Sequence, residues 1–185
     1  MVQGERLILR EPNKEDEEQI LEIVSEFKKN LEQSIPGSSG IEGYISFDEW
    51  LTKIKYASQK ETVTAGRVVS TQFVSVRICD NKIVGFVNLR HELNDYLLKF
   101  GGHIGASIRP SERNKGYGTE QIKLCVKHCN DLGISDILIT CKDWNIASKT
   151  SIMNAGGKFE NTEVDPDGNI LERYWIRREN EYINK

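Results

Sequence analysis

The chain has 185 residues, 38% hydrophobic and 29% charged, which is enough apolar content for one folded domain and too much for a disordered chain. A formal net charge of −3 gives no reason to expect nucleic acid or an anionic membrane as partner. The opening MVQGERLILREP lacks the apolar run of a signal peptide and no window approaches a membrane span, which predicts a cytoplasmic protein with a single domain over 1–185.

Residues 6–10 (RLILR) read as a first strand, ended by Glu11-Pro12. Asn13 suits a helix cap, with Glu15 and Asp16 in the first turn and Lys28-Lys29 in the last, matching the helix dipole at both ends. The predicted buried stripe is Ile20, Val24, Phe27 and Leu31, with Leu21 beside it. Residues 33–43 (QSIPGSSGIEG) are turn chemistry. Ser46 and Glu49 form a capping-box pattern, starting a second helix with Phe47, Trp50, Leu51, Ile54 and Ala57 inward. Residues 61–69 read as loop. Residues 71–80 and 82–90 form a hairpin around Asp80-Asn81, with Phe73, Ser75, Arg77 and Cys79 on one side.

Residues 91–100 lead into a strand over 103–108, a turn at Arg109-Pro110-Ser111, a glycine-bearing loop and a helix. That helix carries Ile122, Cys125, Val126, Cys129 and Leu132 on one face and stops at Gly133. Residues 136–141 (DILITC) are a buried strand, 143–155 a shorter helix, and 158–163 with 170–177 a last hairpin. The four cysteines, Cys79, Cys125, Cys129 and Cys141, show no spaced framework and read as reduced, buried thiols. Cys125, His128 and Cys129 share a helix face, but no second ligand pair stands nearby, so no metal is expected.

Between strand and helix stands Arg113-Asn114-Lys115-Gly116-Tyr117-Gly118. A helix start leaves backbone N–H groups unpaired at the positive end of its dipole. Glycines let a phosphate approach that backbone, and Arg113 and Lys115 add positive charge. The loop therefore reads as an anion cradle, for a pyrophosphate. The Walker order is absent. The dinucleotide fingerprint lacks its third glycine, since Gln121 stands there. A third pattern, [QR]-x-x-G-x-[GA], is met by Arg113, Gly116 and Gly118.

With its strand, turn and helix in order, this run resembles the acetyl-CoA signature of the GNAT N-acetyltransferases. Asn145-Ile146-Ala147-Ser148, followed by Gly156-Gly157, is similar to a second element of that family, N-x-x-[AS]. The resemblance implies an α/β (α+β) fold, with a mixed central sheet of about seven strands and helices on both faces. It implies acetyl-CoA as cosubstrate, its pantetheine arm lying where the strand over 103–108 splays from 136–141 and meeting the backbone at Ala106, Ser107 and Ile108. The pyrophosphate would rest on the N–H groups of residues 114–119: Asn114, Lys115, Gly116, Tyr117, Gly118 and Thr119. Asn145 and Ser148 would contact the cofactor, although Asn145 also suits a simple helix cap.

The family often places a tyrosine seven residues after that asparagine as general acid; here the position is Ile152. A thiol leaves readily at a pKa of about 8.5, so a strong acid is dispensable. Tyr117 and Tyr174 read as structural. A general base is expected among the histidines, His103 at the strand start or His91 beside Glu92, while His128 reads as solvated. The implied activity is direct acetyl transfer to a small-molecule amine or a protein amino group, with a homodimer left open. The competing reading is a non-catalytic acyl-CoA sensor. A nucleic-acid binder is disfavoured by the missing basic patch.

Overall fold

A computed structural model of the chain describes residues 5–177. Four strands pair antiparallel in the order β1 (Leu7–Arg10), β2 (Ser70–Arg77), β3 (Lys82–Arg90) and β4 (Ile104–Ile108). Register sets Val74 against Phe86 and Asn88 against Gly105, so the β2–β3 hairpin is the centre of this sheet. Three more strands form a second antiparallel sheet in the order β5 (Asp136–Lys142), β7 (Ile170–Arg177), β6 (Lys158–Val164).

Helices α1 (Glu17–Lys29) and α2 (Phe47–Ala57) cover one face, burying Ile20, Phe27 and Trp50 against Val74, Val76 and Phe86. Helices α3 (Tyr117–Asp131) and α4 (Ile146–Asn154) cover the other, where Ile122, Cys125 and Ile152 meet Phe73, Val87, Ile137 and Ile139. Alternation along β2 and β3 supplies both cores from the same strands. Fully buried side chains such as Trp50, Phe27 and Phe86 each contribute about 2–3 kcal/mol by leaving water. No helix among the described residues is long and apolar enough to cross a membrane.

The fold class is the expected one, with a difference in the sheet. A mixed sheet of about seven strands was expected, splayed between β4 and β5; the strands form two antiparallel sheets, and β4 and β5 share no ladder. They meet at one point, where the His103 N–H donates to the Leu138 carbonyl (2.7 Å) and the Leu138 N–H donates to His103 Nδ1 (3.0 Å). The cause is local: Gly102, at φ 63°, turns the chain so that the His103 N–H aims at β5 while its carbonyl still serves β3.

Smaller differences have equally local causes. Asn13 caps as predicted, but it caps a short 3-10 turn (Lys14–Asp16), its own N–H donating back to the Asp16 carboxylate, and α1 follows. Leu31 is left-handed (φ 60°) and 89% exposed, outside the helix, and Ile23 takes its place in the stripe. β2 ends at Arg77, so Cys79 falls in the turn and is exposed rather than buried. His128, half-exposed, stacks on Phe73 with centroids 4.8 Å apart. The connection before β4 contains a π-helical turn (Leu97–Gly101) that straps β5, Thr140 donating to the Phe100 carbonyl (2.8 Å).

Candidate active site

From Ile104 onward β4 has a free edge. Hydrogen-bonded and non-bonded pairs alternate in an antiparallel ladder. Arg90 N–H bonds the His103 carbonyl and Arg109 N–H bonds the Val84 carbonyl, which fixes the phase of that alternation. The backbone groups of Ile104, Ala106 and Ile108 therefore point away from β3, toward β5. Those of Ser107 face Phe86 on β3, and its buried hydroxyl has no partner among the described residues. Of the three positions expected to line a cofactor arm, Ala106 and Ile108 offer their backbone to the cleft and Ser107 does not.

The cleft leads to the start of α3. Asn114 (φ 62°) and Gly116 (φ 82°) are both left-handed, curling the loop so that α3 begins at Tyr117 with no side-chain cap. The N–H groups of Tyr117, Gly118 and Thr119 thus lack intrahelical acceptors. No side chain among the described residues caps them. The Tyr117 ring turns away into the core with Leu7 and Val84, beneath the Arg6 guanidinium (4.7 Å to the ring centroid). Gly118 faces α4: a Cβ there would lie 2.7 Å from Ser151 Oγ, so any side chain at this position forces Ser151 to move.

The loop's charges are already engaged. Arg113 makes a fork to Glu32 (2.7 and 2.9 Å), donates to the Ile108 carbonyl and lies over the Phe27 ring. Lys115 donates to Glu112, a buried carboxylate that also takes Arg77 and Lys82. Burial alone would raise the Glu112 pKa, but these cations outweigh it and hold it at about 2. Arg109, predicted only as part of a turn, is buried and paired with Glu26, tying α1 to the end of β4. The positive charge expected to sit in the cradle is spent on protein carboxylates.

The histidines separate. His103 is buried, and burial together with the nearby Arg90 charge lowers its pKa to about 4, so it is neutral. Its Nδ1 accepts from Leu138, which leaves the proton on Nε2. His91 is held 2.9 Å from Thr71 Oγ1, leaning onto β2 and away from the β4 edge, with its pKa lowered by burial. The two do not converge. Among the described residues, no group of three His, Cys, Asp or Glu side chains is arranged to hold a metal.

The acetyltransferase (GNAT) domain family matches residues 6–158, most of the chain. The chain belongs to the GNAT acetyltransferase family. No curated protein matches this sequence. Among solved structures, it is similar to the microcin C7 self-immunity acetyltransferase MccE in complex with acetyl-CoA and AMP, at TM-score 0.69 and 16% identity, covering 95% of this chain and 94% of that one. It is also similar to a Salmonella typhimurium acetyltransferase that modifies the N-terminal serine of ribosomal protein L7/L12, at TM-score 0.66, 17% identity and 95% and 97% coverage. A spermidine N-acetyltransferase chimera involving Vibrio cholerae aligns at TM-score 0.62, 16% identity and 93% and 95% coverage. At these identities the likeness speaks to the fold.

As a GNAT acetyltransferase, this chain departs from the family pattern at Ile152. That side chain is 1% exposed and packs against Gly157, where even a Cβ would collide with it. Asn145 caps α4 through Oδ1, 3.0 Å from the Ser148 N–H, so only its amide nitrogen is left for another partner. The family resemblance points to residues 33–69 for an acceptor pocket, but sequence reasoning did not single out Gly37, Ser39, Gln72 or Asn88 for the opposite wall of the cleft. Gly37, in the loop before α2, lies so close on Gly105 that a Cβ at either position would be crowded. Ser39, Gln72 and Asn88 hold that loop: Ser39 donates to Gln72 Oε1 (2.6 Å), Gln72 to the Gly37 carbonyl (2.7 Å), and Asn88 to Ser39 (3.2 Å). The signal was present as buried amides at matched strand positions, but only the register reveals that they are neighbours.

Proposed function

We propose that the protein binds acetyl-CoA along the free edge of β4 and transfers its acetyl group to a primary amine by direct attack. The observation that carries this is the continuity of the unpaired β4 edge with the uncapped start of α3. An amide-bearing pantetheine arm fits the first as an added strand would, and a pyrophosphate fits the second. In this reading Asn114 to Thr119 hold the pyrophosphate by backbone N–H groups, with Arg113 and Lys115 orienting the loop through their own ion pairs. Asn145 and Ser148 border the arm at the start of α4.

The amine nitrogen attacks the thioester carbon, a C–N bond forms, and the C–S bond breaks to release the thiolate. A backbone N–H of Ala106 or Ile108 aimed into the cleft stabilises the charge that grows on the carbonyl oxygen. The ammonium proton leaves through water, and the thiolate takes a proton from the same source. His103 acts by fixing the apex where β4 and β5 meet, since its base nitrogen is engaged; His91 stands behind β3.

Calorimetric titration with acetyl-CoA, with NADH as control, tests the binding reading, and thiol release in the presence of an amine panel tests transfer. Micromolar binding of acetyl-CoA alone, followed by amine-dependent thiol release, is the expected result. Equal binding of NADH, or no binding, would sink it.

A further inference from the structure

Arg90 stands at the end of β3, beside the apex of the cleft, and is built into the fold without a carboxylate partner among the described residues. Its Nη1 donates to the Gly101 carbonyl (2.8 Å) and the Gly102 carbonyl (2.9 Å), which fixes the guanidinium plane. Its Nε and Nη2 have no protein partner among the described residues, yet neither is sealed from water. That leaves one edge of the fork free, with the two parallel N–H groups that suit a carboxylate. Every other described arginine except Arg67 has a carboxylate partner. Burial is the main influence pushing the Arg90 pKa down; the Tyr96 phenol opposes it and the Arg67 charge adds to it.

The position of this free edge matters. A Cβ built on Gly105 would lie 3.5 Å from Arg90 Nη2 and 3.4 Å from Gly37 Cα. Arg90 thus stands over the residue between Ile104 and Ala106, whose backbone faces the cleft. It does so on the side of β4 opposite α3, beneath the pinned loop that carries Gly37. A cation held against neutral carbonyls, with no carboxylate partner among the described residues, costs stability unless a ligand supplies the anion.

We propose that Arg90 receives a carboxylate carried by the acceptor, so that the preferred substrates are amines bearing a carboxylate close to the reacting nitrogen. The assignment rests on the acetyl-transfer reading of the same cleft. It excludes plain polyamines as good acceptors, since their second charge would meet Arg90 and Arg67.

The test is acetyl transfer to matched pairs that differ only in a carboxylate or its carboxamide: an amino acid against its amide, and an acidic dipeptide against its diamide. In the wild type, kcat/KM for the acid should exceed that for the amide by about 10- to 100-fold. Whichever pair shows the larger ratio tells whether the carboxylate comes from a free amino acid or from a peptide. In Arg90→Gln the ratio should fall to near one, mainly through a raised KM for the acid. Arg90→Lys, which keeps the charge but loses the fork, should fall between. Should Arg90→Gln fail to fold, the wild-type ratio and Arg90→Lys decide. Measurable transfer with an acid-to-amide ratio near one in the wild type would overturn the Arg90 assignment alone. Absence of acetyl-CoA binding by calorimetry would overturn the acetyl-transfer reading and this one with it.

Discussion

At the α3 end of the cleft the backbone is free and the cations are bound; at the His103 end the backbone is bound and a cation is free. Arg113 and Lys115 are tied to Glu32 and Glu112, while the first N–H groups of α3 stand open. At the apex, His103 and Leu138 exchange both their bonds, while Arg90 keeps one edge unpaired. A basic residue in a loop sequence is therefore poor evidence for a phosphate contact. Its charge counts toward a ligand only where the protein has not already used it.

The bound apex can be broken with acid. His103 has its pKa lowered to about 4 by burial and by the Arg90 charge, against about 6.5 in an unfolded chain. Between those values the unfolded state binds more protons than the folded one, so stability rises with pH across the window. The contribution is fully present above pH 6.5 and is lost as pH falls toward 4, by roughly 3 kcal/mol at most. His91 titrates in the same direction, so the comparison must be made against a variant. His103→Asn keeps a side-chain acceptor for the Leu138 N–H and cannot titrate. Urea unfolding at pH 7.5 and 5 should show a clearly smaller loss in His103→Asn than in the wild type. Equal losses would remove His103 as the source.

The open cradle can be broken sterically. Gly118→Val should cost about 1–3 kcal/mol, because its side chain meets Ser151 on α4 and not because it faces the anion site. Pairing it with Ser151→Gly should recover part of the loss in a double-mutant cycle, as expected for residues in contact. Strict additivity would mean that the two helices do not meet there.

The sequence carried more of one end than of the other. The loop from Arg113 to Gly118 was legible because its glycines answer to backbone conformation, which local sequence dictates: Gly116 sits at φ 82° and opens α3. Both caps, Asn13 and Ser46, were legible for the same reason, since a cap speaks to its own next turn. What stayed hidden was pairing across the chain. Glu32 lies 81 residues from the Arg113 it neutralises, and nothing local marks it. His103 looked like a base because histidine is the side chain that titrates near neutrality; only the Leu138 N–H, reached through β5, gives it another task. The splay between β4 and β5 came from the family resemblance and not from the strand itself, because DILITC reads as a buried strand whether or not its neighbour is paired.

The smallest expected effect bears most directly on how charge is divided between the two ends. Glu32→Gln should release Arg113 from its fork while leaving it bonded to the Ile108 carbonyl (3.1 Å) and seated over Phe27. Both partners are partly exposed, so the stability cost should be under about 1 kcal/mol. The freed guanidinium would then stand at the mouth of the loop with its charge available. Acetyl-CoA affinity should rise about 2- to 5-fold at low ionic strength, and the gain should fade with added salt, as for any partly screened pair. Calorimetric titration at two salt concentrations reads both effects. An affinity and salt slope unchanged from the wild type would place Arg113 out of reach of the anion even when free. The cradle would then work through backbone N–H groups alone, with its arginine serving only to brace α1 against β4.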